Sequence, residues 1–589
     1  MNQHHPSTRR SAALTVLMLL FFTVTVMSPA ASFEKGPVNP VFADWQAGKI
    51  VLDTDRPTGY VPSPVSWSHL QPTGRKDDLP AQFDLRDIDG VTPVKNQGMC
   101  GACWAFGACA SLESWLKIHH DVTYDLSENH LKNNHGWELG HCDGGNNDMS
   151  TAYFARWHGP LLESEDPYNP NQNIPLDPTP PPQWLLLSAP VFSAAEGDRT
   201  DIQAAIMNYG AVSAVMHWAS AYFNSSTNTY YAPGTNNPGN HMITVVGWDD
   251  ARTVSGAPNP GAWICKNSYG TSWGEDGFFY LSYDDAAAVN EATGFFDLVP
   301  PDSYGRLYEH DPLGMSSHAG GPGEVAYGAN VFTAVDDETI VAVGTYAVTN
   351  TTAYEIAVYD SGISGDTFVN PVVTTSGTFP YAGYHVIDLP ATVSVSAGQT
   401  FSVRVRYETP GWDYPLPIET PIPDFVQPTA SLGESYMSLT GNDFVDIHGM
   451  GGGWENTNAC IKAIAATPAM TVRIVGRSRV EEGDSVVLNT LLPPLHGNVV
   501  FEWYKDDVLI VGAEEDAFHI PAATFDDSGW YHVIVEDESK GIYESDPFKL
   551  LVFPEGALPV SRLTVLIAAV VLVALGLRTR HRKRNGATA

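Results

Sequence analysis

Gln97-Gly98-Met99-Cys100-Gly101-Ala102-Cys103-Trp104-Ala105-Phe106 sets an amide side chain a short way ahead of a cysteine that opens an apolar run. Trp104, Ala108, Cys109, Leu112, Trp115 and Leu116 recur at three-to-four spacing, which predicts an amphipathic helix with the Cys103 thiol in its first turn. A thiol of ordinary pKa is mostly protonated at neutral pH, and a helix N-terminus or a neighbouring imidazolium shifts it toward the reactive thiolate. Downstream, His241 stands in Gly239-Asn240-His241-Met242-Ile243-Thr244 and Asn267 in Trp263-Ile264-Cys265-Lys266-Asn267-Ser268-Tyr269-Gly270. Together they read as a nucleophile (Cys103), a proton-transfer partner (His241) and a group that orients the ring (Asn267). The Gln97 amide and the Cys103 backbone N–H would receive an oxyanion. A lone helical cysteine is most often a small core residue, but four such residues in order, each in its own apt segment, argue for chemistry.

The run Cys100-Gly101-Ala102-Cys103-Trp104, with a histidine roughly 130 to 150 residues further on, resembles the papain-like cysteine peptidases, and the resemblance covers residues 79–300. Leu126-Ser127-Glu128, Cys142-Asp143-Gly144-Gly145 and Asn267-Ser268-Tyr269-Gly270-Thr271-Ser272-Trp273-Gly274 follow the same family. The resemblance implies peptide-bond hydrolysis through an acyl-enzyme and a Cys100–Cys142 disulfide. It also implies substrate binding at Gly144, Gly145, Asn240 and Trp273. Two positions depart from the family pattern: Tyr269 replaces the usual tryptophan over the Asn–His contact, and Asn146-Asn147 replace an aromatic and a proline, making the wall of the main specificity pocket more polar. Gly59-Tyr60-Val61-Pro62-Ser63-Pro64 upstream and a β-rich stretch downstream resemble a bacterial surface subfamily whose second domain is called lectin-like. Trp412, Tyr414, Tyr381 and Tyr384 are the candidate sugar-stacking side chains, though aromatics in strands more often serve packing.

The 589-residue chain is too long for one core. Residues 1–31 carry Arg9 and Arg10, an apolar run from Ala12 to Met27 and small residues after it, the order of an export signal. Residues 557–577 are almost wholly apolar, and residues 578–589 are basic, which reads as a transmembrane helix with a cytoplasmic tail. This end also resembles bacterial C-terminal sorting signals that are cut and replaced by another anchor. The expected location is therefore the cell surface or the periplasmic side of a bacterial membrane. A formal net charge of −36 opposes phosphate binding and argues against nucleic acid as a partner.

Residues 32–78 are rich in Pro and Gly and read as an extended pro-segment or linker that crosses or borders the cleft. The expected fold is an α+β catalytic domain at 79–300, with a helical lobe and a β-barrel-like lobe. Two all-β sandwiches follow, the lectin-like one at 305–467 and another at 470–553, then the one transmembrane helix. In the last sandwich Phe501-Glu502-Trp503-Tyr504 and Asp527-Ser528-Gly529-Trp530-Tyr531 resemble an immunoglobulin-like domain, with Thr490 and Val533 where sheet-bridging cysteines would stand. Cys109, Cys265 and Cys460 read as buried free thiols, a Cys109–Cys265 bridge being the alternative. His135, His141 and His158 lack ligand spacing, so neither metal nor cofactor is expected. The reading is a surface-tethered cysteine endopeptidase acting on proteins or peptides. The alternative is an adhesion or glycan-binding protein in which the peptidase domain is secondary.

Overall fold

The structure, a computed structural model, describes residues 32–50, 58–73, 79–120, 122–176, 178–193, 198–234, 238–466, 472–475, 479–491, 499–537, 541–545 and 547–553. The expected export signal at 1–31, apolar segment at 557–577 and basic tail at 578–589 lie outside the described residues. Among the described residues no helix is long and apolar enough to cross a membrane.

The Cys103–His120 helix forms as the spacing predicts, but it is not a surface amphipath: every residue from Cys103 to Leu116 is buried. A helix buried on all sides needs partners for its polar residues, and Ser111, Glu113 and Ser114 have them, whereas the Trp104 and Trp115 indole N–H groups make no hydrogen bond. Ser111 donates to the Ala211 carbonyl and Ser114 to that of Gly90, each at 2.7 Å. Glu113 accepts from Lys95 at 2.8 Å and from the Leu126 N–H at 2.9 Å. Lys117, His119 and His120 sit in the last turn, where positive charge suits the helix dipole. Against this helix packs an antiparallel sheet in which the strand His241–Asp249 lies between Val212–Met216 and Ala262–Lys266. Helix N-terminus and strand N-terminus thus bring Cys103 and His241 to the same face of the interface.

The β region at 305–467, read from the sequence as a lectin-like sandwich, shares a sheet with the catalytic region. Its strand Ala382–Val395 pairs antiparallel with Leu185–Phe192 of the catalytic region, Ala382 opposite Val191 and His385 opposite Ser188. One 14-stranded sheet therefore runs through both regions. Edge strands expose unpaired N–H and C=O groups, and this pairing satisfies two edges at once. A six-stranded sheet containing Val325–Thr333, Ala353–Tyr359 and Thr400–Glu408 covers the other side. Two of the four candidate sugar-stacking aromatics serve packing instead: Tyr384 is 0% and Tyr381 6% exposed. Trp412 carries the His69 ring stacked on it, with centroids 3.8 Å apart.

The N-terminal stretch is more structured than its Pro-rich composition suggested. Glu34–Lys35 adds to the edge of Ser317–Gly320. Asn39 then caps a helix at Pro40–Gln46, accepting the Val41 N–H at 3.0 Å. A helix this short is not stable alone; Phe42 holds it by docking edge-on to Phe425, with centroids 4.7 Å apart. The last β region packs around Trp503, which is 0% exposed. Tyr531 there donates its hydroxyl to the Asp527 carbonyl at 2.7 Å. Thr490 donates to the Asp516 carbonyl at 2.7 Å and Val533 is buried, so packing stands in for a cross-sheet disulfide.

Candidate functional site

Cys103 and His241 are both 0% exposed. The Met242 backbone N–H donates to the Cys103 sulfur at 3.3 Å, which sets the thiol against the start of the histidine strand. His241 Nε2 lies 2.9 Å from Asn267 Oδ1. That oxygen also accepts the Ser268 N–H at 2.8 Å, and since only the oxygen of an amide can accept, the contact fixes the amide orientation. His241 therefore carries its proton on Nε2. Its Nδ1, which makes no hydrogen bond, is left with a lone pair. The Tyr269 ring lies over the imidazole, with centroids 5.2 Å apart and planes 17° apart. A tyrosine thus screens the Asn–His contact where the family resemblance implied a tryptophan. Trp273 stands edge-on to Tyr269 and stacked on Phe223, so it belongs to this aromatic cover.

Gln97 is 0% exposed. Its Nε2 donates to the Cys100 carbonyl and to the Thr58 carbonyl, both at 2.8 Å, and its Oε1 accepts the Ser268 hydroxyl at 2.6 Å. Ser268 was not singled out from the sequence, yet it holds Gln97 through its side chain and Asn267 through its backbone. Adjacency to Asn267 was the only signal available. Cys100 and Cys142 form a disulfide with Cα atoms 4.8 Å apart; it ties the nucleophile loop to the Gly144-Gly145 segment. Cys109, Cys265 and Cys460 are buried free thiols, so the alternative Cys109–Cys265 bridge is not formed. Among the described residues no group of His, Cys, Asp or Glu could hold a metal ion.

The cleft over these groups is filled by residues 58–61 of the same chain. Gly145 donates its N–H to the Gly59 carbonyl and accepts the Val61 N–H, both at 2.9 Å, while the Asn240 carbonyl accepts the Tyr60 N–H at 3.2 Å. Tyr60 and Gly145 form a parallel bridge. The fit depends on glycine at both strands. A Cβ on Gly145 would lie 2.5 Å from the Trp104 ring, and one on Gly59 would lie 2.2 Å from the Gly101 backbone.

This cover sets the electrostatics. Burial pushes the Cys103 thiol up to about 12, against the smaller opposing effect of the Met242, Trp104 and Cys103 N–H groups. Burial likewise pulls His241 down to about 4, with the Asn267 hydrogen bond acting the other way. Both groups are therefore neutral near pH 7, the ground state expected where charge cannot reach water. Exchanging Gln97 for alanine should lower kcat of the uncovered enzyme by roughly 10²- to 10³-fold, the usual effect of losing one oxyanion donor, with KM changing far less. Steady-state kinetics on one peptide substrate check this.

Residues 79–294 match the papain family cysteine protease model, and residues 307–465 match the lectin like domain model. Among curated relatives, a viral cathepsin of Epiphyas postvittana nucleopolyhedrovirus is 34% identical over 208 residues, 34% of this chain and 59% of that protein. The senescence-specific cysteine protease SAG12 of Arabidopsis thaliana is 28% identical over 245 residues, 38% of this chain and 62% of that protein. The chain thus spans about three-fifths of the length of these relatives. A crystal structure of the cysteine protease and lectin-like domains of Cwp84, a surface layer associated protein of Clostridium difficile, aligns over 74% of this chain and 98% of its own. It has 27% identity and a TM-score of 0.63. A second Cwp84 structure, determined after propeptide cleavage, aligns over 66% of this chain and 99% of its own, with 28% identity and a TM-score of 0.58. The chain therefore carries a papain family cysteine protease domain joined to a lectin-like domain.

Proposed function

We propose that the protein is an exported, surface-tethered cysteine endopeptidase whose N-terminal stretch, residues 32–78, is an inhibitory pro-segment. The observation that carries this reading is the His241–Asn267 contact at the start of the strand whose Met242 N–H holds the Cys103 sulfur, with His241 Nδ1 left without a hydrogen bond. Once the cleft is open to water, the thiol transfers its proton to Nδ1, and the resulting thiolate attacks a peptide carbonyl. Gln97 Nε2 and the Cys103 N–H stabilise the oxyanion, the imidazolium protonates the departing amine, and water hydrolyses the thioester. Gly145 and Asn240 present the backbone groups that pair with an extended peptide, as they now pair with residues 59–61, and Gly144 leaves room for it, since a Cβ there would lie 2.8 Å from the Gly59 carbonyl oxygen.

Export and tethering rest on residues 1–31 and 557–589, and on the description of Cwp84 as surface layer associated. In this reading the region around Trp503 is an immunoglobulin-like stalk, a role its buried tryptophan and the Tyr531 corner contact favour. The adhesion alternative draws on the lectin-like match alone, and one face of Trp412 is taken by the His69 ring. The test is labelling of the processed chain by a thiol-directed epoxide, together with hydrolysis of a peptide library. Labelling and hydrolysis should both be lost on Cys103→Ala. Absence of labelling in processed wild-type chain that is folded by circular dichroism would overturn the reading.

A further inference from the structure

The strand Glu34–Lys35 ends a four-stranded sheet whose next member is Ser317–Gly320 of the lectin-like region. Glu34 stands opposite Gly320 and Lys35 opposite Ala319, and the Gly36 N–H donates to the His318 carbonyl at 2.7 Å. Residues 58–61 already close the catalytic cleft, so this second anchorage calls for its own account. When residues 32–78 depart, Ser317–Gly320 becomes the edge of its sheet. Natural edges are guarded by charge, proline or a bulge. Ser317-His318-Ala319-Gly320 holds no acid, lysine, arginine or proline, and it pairs with Leu416–Glu419 without a bulge.

The edge has a side-chain site beside it. Lys35 Nζ donates to Thr420 Oγ1 and to the Gly453 carbonyl, both at 2.6 Å, and lies 5.0 Å from the centroid of the Trp454 ring. Gly451, Gly452 and Gly453 all take positive φ, a backbone that other residues rarely adopt, and this turn carries the carbonyl and the ring to the ammonium. Burial holds Lys35 below the usual lysine range, and the Glu455 charge opposes that fall. The next position takes only glycine. A Cβ on Gly36 would lie 2.0 Å from His318 Nδ1, and the His318 ring, 1% exposed, is packed edge-on to His69 and Trp412. Neither His318 ring nitrogen makes a hydrogen bond; the covering strand leaves them dry, which suits a cover that is released.

We propose that Ser317–Gly320, with Thr420, Gly453 and Trp454, is a second peptide-binding site, an exosite that in the processed enzyme holds protein substrates by an extended Lys-Gly segment. The inference rests on the reading of residues 32–78 as a pro-segment and extends it: the departing strand has the chemistry of the ligand that follows. Backbone pairing along the edge supplies affinity, while the lysine site and the glycine requirement supply sequence preference. Because exosite and catalytic cleft belong to one chain, binding at the first raises the local concentration of substrate at the second.

The binding experiment uses the Cys103→Ala chain, which cannot cut its ligand, after cleavage between residues 73 and 79 by an added protease and gel filtration. Intact mass verifies that the upstream fragment has gone. A fluorescent peptide of residues 32–38 should then bind saturably at pH 7.5, read by anisotropy. Lys35→Glu in the peptide should weaken binding about tenfold or more, and Gly36→Val in the peptide should abolish it. These changes leave the fold of the enzyme untouched. Trp454→Ala in the chain should weaken the unaltered peptide about fivefold or more. The kinetic experiment uses processed wild-type enzyme, titrated with the epoxide to count active thiols. Joining residues 32–38 to a peptide substrate through a Gly/Ser linker of about 25 residues should lower KM about tenfold with kcat unchanged, and the free peptide should compete that gain away. Retention of the upstream fragment by the cut chain, no saturable binding, indifference to Gly36→Val, no gain from the tether, or binding of oligosaccharides in place of the peptide would each overturn the exosite. Failure of the epoxide to label would strike the peptidase reading instead, and the anisotropy measurement does not depend on it.

Discussion

At pH 7 the Cys103 thiol of the intact chain should react with iodoacetamide at least about a thousandfold more slowly than the same thiol after residues upstream of Leu79 have been cut away. The thiolate is the reacting species. A thiol raised to about 12 is ionised to roughly one part in 10⁵ at pH 7, against about three parts in a hundred for an ordinary cysteine. An imidazolium partner and the helix N-terminus then carry the open site further toward thiolate. The pH dependence separates the two forms. Because the thiol is raised in the covered form, its rate should climb about tenfold per pH unit through neutrality, whereas the uncovered enzyme should reach a plateau at mildly acidic or neutral pH. Cys109, Cys265 and Cys460 are buried, and burial pushes each of them up, so native labelling maps to Cys103 and should vanish in Cys103→Ala. Mass spectrometry of the labelled peptide over time makes the measurement. Equal rates before and after cutting would mean that the cover does not control the thiol.

The groups that carry chemistry were legible because each needs a particular residue type in a particular local setting. A thiol at a helix start, an imidazole at a strand start and an amide ahead of the thiol can be recognised one segment at a time, and the structure brings Gln97, Cys103, His241 and Asn267 together. The Cys100–Cys142 bond was legible only through family resemblance. Other features depend on pairings that no local pattern encodes. Alternation in Ala382–Val395 marks a strand, but the identity of its neighbour at Leu185–Phe192 is a property of two edges far apart in the chain. Ser111, Glu113 and Ser114 made the Cys103 helix look half exposed, because a pattern of polar residues cannot show that each has a buried partner. The helix at Pro40–Gln46 was missed for the same reason: its stability comes from Phe425 and not from its own seven residues.

Exchanging Gly59 for valine should make the intact, uncut chain an active peptidase, raising its turnover of a small fluorogenic peptide by about 10²-fold or more over intact wild type. Two independent constraints converge on this residue. Its φ of +117° is a conformation that side-chain-bearing residues rarely adopt, and a Cβ there would meet the Gly101 carbonyl carbon at 2.2 Å and its oxygen at 2.3 Å. Gly101 cannot retreat easily. Its N–H bonds to the Cys142 carbonyl at 3.2 Å, the preceding residue is held in the disulfide, and the buried Cys103 helix begins two residues on. The segment must give way instead, and with it go the Gly59 carbonyl bond to Gly145 and the Thr58 carbonyl bond to the Gln97 amide. Loss of these contacts plus the backbone strain amounts to roughly 3 kcal/mol, which corresponds to about two decades in the open-to-closed ratio. The docking of Phe42 on Phe425 and of Glu34–Lys35 on Ser317–Gly320 lies away from the clash, so the segment should remain attached at its N-terminal end while its inhibitory strand swings clear. Intact mass measured beside the activity ensures that cutting is not the cause, and Gly59→Val combined with Cys103→Ala should be silent. If intact Gly59→Val is as inactive as wild type while the cut enzyme is fully active, residues 58–61 are not what holds the site closed.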